Sequence, residues 1–476
     1  MGKSKIADTI ETIILYGLLA LAIYFSGILW FQPKHSLSKK GDVVSQTVNK
    51  DSISAIVIPA KTMINFSDGN HTISYDNHRY GLWEESKAGV GELFTSNELK
   101  FEEIDQEEYF QYLGMPSIVF SFSVEMNTTL LGNAISDVVS SKVIEVVPSL
   151  KSIYLGLSEG EPKYILAKDD KYTKITGPKF DTSKLLEAIG LIAKEGNYPY
   201  YYSMKQTLGV NNTVFIPYEM DSSLPRLSMS RKYVNMDESQ QNNIENRIFK
   251  QSGDRVRRIT ESGGSVLYVL DRRVLKFDQR GVMTYREPMP SQIKEPNLYR
   301  SLLAVMDFME SLHGDRDDYY ISKLQPIEKD GHKGYKLSLR TLVHGIPIIL
   351  ANRDNESYID LMVFGERVTY YREVGREETS TYTGGTLEGR VILPSFKILD
   401  NNIEVFKRVY EQEFHVLSPE ENHINEILSS ISDINLAYLD ADFRDRDEAL
   451  NAVWAITLGN RLLCFDAYEG SLLFEK

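Results

Sequence analysis

The chain has 476 residues, 42% hydrophobic and 25% charged, so it is globular in composition and long enough for two or three domains. Lys and Arg number 53 against 67 Asp and Glu, a formal charge of −14, and no basic run compensates locally. Such a balance argues against nucleic acid, which needs cations to replace the counterions at its phosphates. The single cysteine, Cys464, excludes a disulfide framework and a cysteine-based structural zinc site.

Near the start, residues 12–31 (TIILYGLLALAIYFSGILWF) contain no charge. As a helix rising ~1.5 Å per residue, this stretch spans roughly 30 Å, the thickness of a bilayer's hydrocarbon core. Trp30 and Phe31 suit the membrane interface, and Pro33 stops the helix beyond them. The run is longer than the apolar stretch of a typical signal peptide and lacks an A-x-A site, so it is expected to be an uncleaved anchor. Ile13, Gly17, Ala20, Tyr24, Gly27 and Phe31 recur at 4-3-4-3-4 spacing, which keeps them on one helix face. Small residues let helix backbones approach closely in lipid, so this face is the expected contact for a partner's membrane helix. Lysines flank the segment on both sides, and charge alone leaves its orientation open.

The expected organisation is a tail at 1–11, the membrane helix at 12–31, a polar tether at 32–51, and three α+β domains at 52–182, 183–296 and 297–476. In the first, a strand is expected over 53–58, then a hairpin over 63–66 and 71–75 turning at Asp68-Gly69. A helix near 89–99, a buried strand over 117–122 and a helix over 130–139 follow. The second domain opens with a helix at 185–189, continues through strands at 200–204 and 214–218, and has a polar helix at 241–249. It closes with a hairpin over 266–270 and 274–277. The third begins with an amphipathic helix over 297–312, followed by strands at 335–342, 346–350, 358–364 and 368–371. Helices at 403–413 and 424–431 precede strands at 452–458 and 461–465. Helices alternate with antiparallel hairpins and lack βαβ spacing, so the class is α+β. One echo, V-x-x-Y-R-E, occurs at Val282 to Glu287 and again at Val368 to Glu373.

Chemistry-bearing motifs are scarce. Gly156-Leu157-Ser158-Glu159-Gly160 fits G-x-S-x-G, but strand-like residues lie on both sides, which is a hairpin and not the strand–turn–helix of a nucleophile elbow. The histidines lack metal-ligand spacing. The acidic stretch from Asp440 to Glu448 lacks the glycine and terminal glutamate of a calcium loop and reads as solvated. No phosphate-binding glycine motif occurs. No catalytic residue, cofactor or metal is expected, and the chain reads as a non-enzyme.

The order of features resembles the YycH-type membrane-anchored regulators of Gram-positive bacteria. The resemblance rests on the anchor closing in Trp30-Phe31-Gln32-Pro33 and on Met115-Pro116-Ser117 before an apolar run. It extends through Tyr154-Leu155, His313-Gly314, Leu339-Arg340, Gly345-Ile346-Pro347-Ile348, Tyr370-Tyr371-Arg372, Tyr438 and Trp454. It implies an extracytoplasmic body of three α+β domains on a single-pass helix with a cytoplasmic N-terminus. The implied partners are the WalK (YycG) sensor kinase of the WalK/WalR system, which controls cell-wall metabolism, a YycI-type companion, and membrane lipid. The implied action is non-catalytic, with membrane helices packing against the kinase to lower its activity. The competing expectation is a membrane-anchored ligand-binding protein or cell-envelope hydrolase with a deep polar pocket.

Overall fold

The computed structural model describes residues 51–476, apart from 75–79, 139, 158–160, 197, 218–223, 225, 235, 251–254, 290–295, 314–318, 344–345, 353–356, 383–390, 416–422 and 442–448. The anchor at 12–31, all six residues of its contact face, and the tether through residue 50 lie outside the described residues. Among those residues no helix is long and apolar enough to cross a membrane.

The strand expected over 53–58 is instead helix α1 (Asp51–Ile56). Ile53, Ile56 and Val57 stand at i, i+3 and i+4, and all three are buried, so the apolar spacing belongs to a helix face.

The first sheet is antiparallel throughout. Its strands are β1 (Lys61–Asn65), β2 (His71–Ser74), β3 (Lys100–Ile104), β4 (Ser117–Asn127), β5 (Ser149–Gly156), β6 (Lys163–Lys168), β7 (Lys171–Thr176), β8 (Tyr201–Ser203) and β9 (Phe215–Pro217). They lie in the order β3-β7-β6-β5-β4-β1-β2-β8-β9. The β1–β2 hairpin forms as expected, with Gly69 at φ 77° supplying the left-handed turn residue. Helices α2 (Leu82–Thr95), α4 (Thr128–Ser136), α5 (Lys142–Val146) and α6 (Ser183–Glu195) cover one face, where Trp83 packs edge-on against Phe120. Helix α3 (Gln106–Leu113) covers the other, with Tyr109 stacked on Tyr172 at 4.4 Å.

Helix α7 (Met204–Leu208) and strand β10 (Arg226–Arg231) lead through α8 (Glu238–Ile248) to the second sheet. Its strands begin with β11 (Arg257–Thr260), β12 (Val266–Leu270), β13 (Arg273–Phe277) and β14 (Val282–Arg286). After α9 (Leu298–His313) come β15 (Tyr319–Lys329), β16 (His332–Val343), β17 (Ile346–Ala351), β18 (Ile359–Phe364) and β19 (Arg367–Val374). Strand β20 (Arg376–Tyr382) leaves the sheet to form a ribbon with β10. Helices α10 (Ser395–Asn401), α11 (Ile403–Phe414) and α12 (Ile424–Ser429) precede β21 (Ile431–Ala441), β22 (Asn451–Leu458), β23 (Arg461–Asp466) and β24 (Leu472–Glu475). The order is β11-β12-β13-β14-β19-β18-β16-β17-β21-β22-β23-β24, with β15 beside β16. The β17–β21 pair alone is parallel among the described residues, and its crossover carries α10 to α12.

The helix expected over 424–431 ends at Ser429, and Ile431 already belongs to a strand. In α9, Leu302, Val305, Met306, Met309 and Leu312 form a buried stripe facing β18 and β19. At the far end, α10 to α12 pack on β21 to β23 around Phe406, Trp454 and Phe465.

Candidate functional site

Sequence reasoning placed the functional face in the membrane helix, at Ile13, Gly17, Ala20, Tyr24, Gly27 and Phe31, outside the described residues. Ser158 is also outside them, but its flanking strands β5 and β6 pair antiparallel from Ser152–Ala167 to Gly156–Lys163. A hairpin, not an elbow, joins them. Among the described residues no three His, Cys, Asp or Glu side chains converge to hold a metal ion.

The two V-x-x-Y-R-E segments lie side by side. They form β14 and β19, paired antiparallel with Tyr285 opposite Tyr371. Strand side chains at i and i+2 share a face, so each tyrosine reaches its own glutamate. Tyr285 donates to Glu287 at 2.8 Å, and Tyr371 donates to Glu373 at 2.7 Å. Phe308 of α9 meets both rings, at 5.2 and 5.3 Å between centroids. The two halves differ in depth. Glu287 meets Arg367 at 3.0 Å near the surface. Glu373 is buried, 3.3 Å from His313 Nε2 at the end of α9. Burial, the largest single influence, works against its charge, but His313, Lys232 and Tyr233 together outweigh it and hold the carboxyl below the usual range. Burial, and then Glu373, push the Tyr371 hydroxyl well above its ordinary value, so it stays protonated as a donor.

Beside this strand pair is a recess of about 350 Å³ lined by Arg286, Glu287, Met289, Lys329, Met362 and Tyr370, among others. The Arg286 guanidinium lies 5.7 Å from the Tyr370 ring centre, within cation–π range. Its lining balances the cations Arg286 and Lys329 against the carboxylates Glu287 and Asp330, beside the apolar Met289 and Met362.

Two internal ion pairs escaped sequence reasoning. Asp440, expected in a solvated loop, is buried at the end of β21, where Arg376 Nε and the Tyr358 hydroxyl each lie 2.8 Å from Oδ2. A cation and a donor, from β20 and the entry to β18, replace the water this carboxylate would need, so it sits in the interior and not in a solvated loop. Lys61 of β1 meets Asp433 of β21 at 2.6 Å and ties the first sheet to the second. Unlike that partly exposed pair, His71 is buried; its Nδ1 donates to Asn65 Oδ1 at 2.7 Å while Asn65 donates to Ser117 at 2.8 Å. Burial lowers the His71 pKa to about 4, with Asp68 offsetting part of the effect.

No family model matches the sequence, and no curated protein matches it. Among solved structures, the chain resembles the crystal structure of YycH from Bacillus subtilis, with TM-score 0.50 and 13% identity, covering 87% of this chain and 96% of that one. An uncharacterized protein from Eubacterium rectale matches with TM-score 0.34 and 13% identity, covering 56% of this chain and 91% of that one. The described body is therefore mixed α+β, as expected, and its fold is YycH-like.

Proposed function

We propose that this chain, with its YycH-like fold, is a non-enzymatic, membrane-anchored regulator of a sensor histidine kinase of the WalK (YycG) type. The observation that carries the reading is a likeness running through 87% of the chain and 96% of YycH, joined to an uncharged segment at 12–31 that is long enough to span a bilayer. In this reading residues 1–11 are cytoplasmic, the body is extracytoplasmic, and a YycI-type companion shares the work. The face at Ile13, Gly17, Ala20, Tyr24, Gly27 and Phe31 packs against the kinase's membrane helices and favours their inactive arrangement. A few kcal/mol of differential contact is enough to shift a two-state kinase substantially.

The test replaces residues 12–31 by an unrelated spanning sequence, and separately makes Gly17→Leu with Gly27→Leu. Both variants are expected to insert at normal levels and to raise kinase output several-fold. Output that stays repressed in both refutes the helix contact. A ligand-binding role for the body draws on one observation, the recess beside Arg286 and Tyr370, and is compatible with regulation.

A further inference from the structure

We infer that the outward face of β11 to β14 is a docking surface for an acidic amphipathic helix of a partner protein. The register sets Ile259 beside Leu267 and Val269 beside Val274, so four aliphatic side chains adjoin on one face. The reverse face of these strands carries Tyr268, Leu275 and Tyr285, buried together with Ile244 and Ile248 of α8 and the apolar stripe of α9. Antiparallel sheets with a solvated side normally turn polar residues toward water. Here Ile259 is 48% exposed and Leu267, Val269 and Val274 are half-buried.

Charge and width define the occupant. Arg257 adjoins Val269 and Arg286 adjoins Val274, while Lys276, beside Leu267, is paired with Glu261 at 2.8 Å, so two exposed arginines edge the aliphatic patch in a chain of formal charge −14. Four strands at ~4.8 Å spacing place β11 and β14 about 14 Å apart, room for one helix of ~10 Å diameter. A helix there would complete a three-layer arrangement with α8 and α9 on the other side. The aliphatic groups lie at the floor, between longer cationic side chains. The partner must therefore bring protruding apolar side chains, which a leucine stripe at i, i+3, i+4 and i+7 does and a layer of lipid headgroups does not. Carboxylates flanking that stripe meet Arg257 and Arg286. The inference goes beyond the kinase reading, because it needs no contact inside the membrane.

The test uses the full-length protein in detergent and two labelled peptides of about 18 residues, each with leucine at the stripe positions. One carries glutamate at the flanking positions, and the other carries lysine there. Saturable binding of the glutamate peptide, at least tenfold tighter than the lysine peptide, is expected. Arg257→Glu with Arg286→Glu should weaken it at least tenfold, and so should Leu267→Gln. The charge pair lies at the surface, so it keeps the test valid if Leu267→Gln unfolds. No saturable binding, equal binding of the two peptides, or binding unchanged by both variants overturns the proposal. Displacement of the peptide by phosphatidylglycerol vesicles, with no loss in the Leu267→Gln protein, also overturns it in favour of a lipid surface. A membrane-helix swap leaves this face intact, so failure here and failure of the kinase reading are separable.

Discussion

The first sheet and the β11–β14 end of the second are built from similar strands but finished differently. In the first, α2, α4 and α6 cover one face and α3 the other, so Leu155 and Leu166 turn one way, Tyr154 and Ile165 the other, and all four are buried. In β12 the sequence Val266-Leu267-Tyr268-Val269-Leu270 is just as apolar, yet burial alternates residue by residue. An apolar strand exposed on one side is incomplete by the logic of layer packing. The difference separates a region whose stability is satisfied within the chain from one whose apolar surface awaits a partner. The middle of the second sheet departs in another way, because it buries charge.

The largest expected effect probes that buried charge. Asp440→Asn leaves the Arg376 guanidinium, whose side chain is 5% exposed, without its counter-charge. Removing one partner of a buried pair costs ~3–5 kcal/mol, and urea unfolding should show a loss of about 4 kcal/mol. A loss below about 1 kcal/mol would mean that water reaches Arg376, and the contrast with the dry first sheet would collapse.

Next comes Leu155→Ala in the doubly covered sheet. Leu155 is fully buried between β4 and β6, and truncation at such sites costs ~2–5 kcal/mol through lost burial and a residual cavity. A loss of about 3–4 kcal/mol is expected in the same assay.

The first sheet also predicts a pH dependence. The folded His71 pKa is lowered to about 4 against an ordinary value of 6.5, so the unfolded chain takes up this proton first as pH falls. Stability from the neutral ring is fully present above the unfolded value and is lost as pH falls from about 6.5 toward about 4. At ~1.4 kcal/mol per pKa unit, the His71 contribution between pH 7 and pH 4.5 is about 2.5 kcal/mol. His71→Gln should remove this part of the acid sensitivity while the carboxylates keep theirs. An unchanged pH slope in the variant would show that the ring is already solvated.

Much of this architecture was legible in sequence, for physical reasons that also explain the failures. The hairpins at 63–75 and 266–277 were readable because turn residues with positive φ separate β-branched runs, as Gly69 and Asp271 do. Helix α9 was readable from its i, i+3, i+4 stripe. Strands β3 and β11 were not, since edge strands such as Lys100–Ile104 and Arg257–Thr260 expose charge and imitate loops. Strand β21 was missed because Asp433 and Asp440, which look like solvent residues, have cations from β1 and β20 brought to them by the fold. Its pairing partner β17 precedes it by the whole α10–α12 crossover, a distance no local pattern reports. The tyrosine–glutamate pairs were half legible: the V-x-x-Y-R-E echo was visible, but not that its two copies become neighbours.

The smallest expected effect is the sharpest test of the opening contrast. Leu267→Ala removes the same atoms as Leu155→Ala, but from a half-buried side chain on the open face of β12. Only the burial already provided by neighbouring strands is lost and no enclosed cavity forms, so the cost in the isolated protein should be below about 1 kcal/mol. With an acidic amphipathic helix bound, the same truncation should weaken the complex, since the missing apolar contact then lies at the centre of an interface. A cost equal to that of Leu155→Ala without any partner would mean that the chain covers this face itself. The distinction between a sheet finished within the chain and one finished by another protein would then be lost.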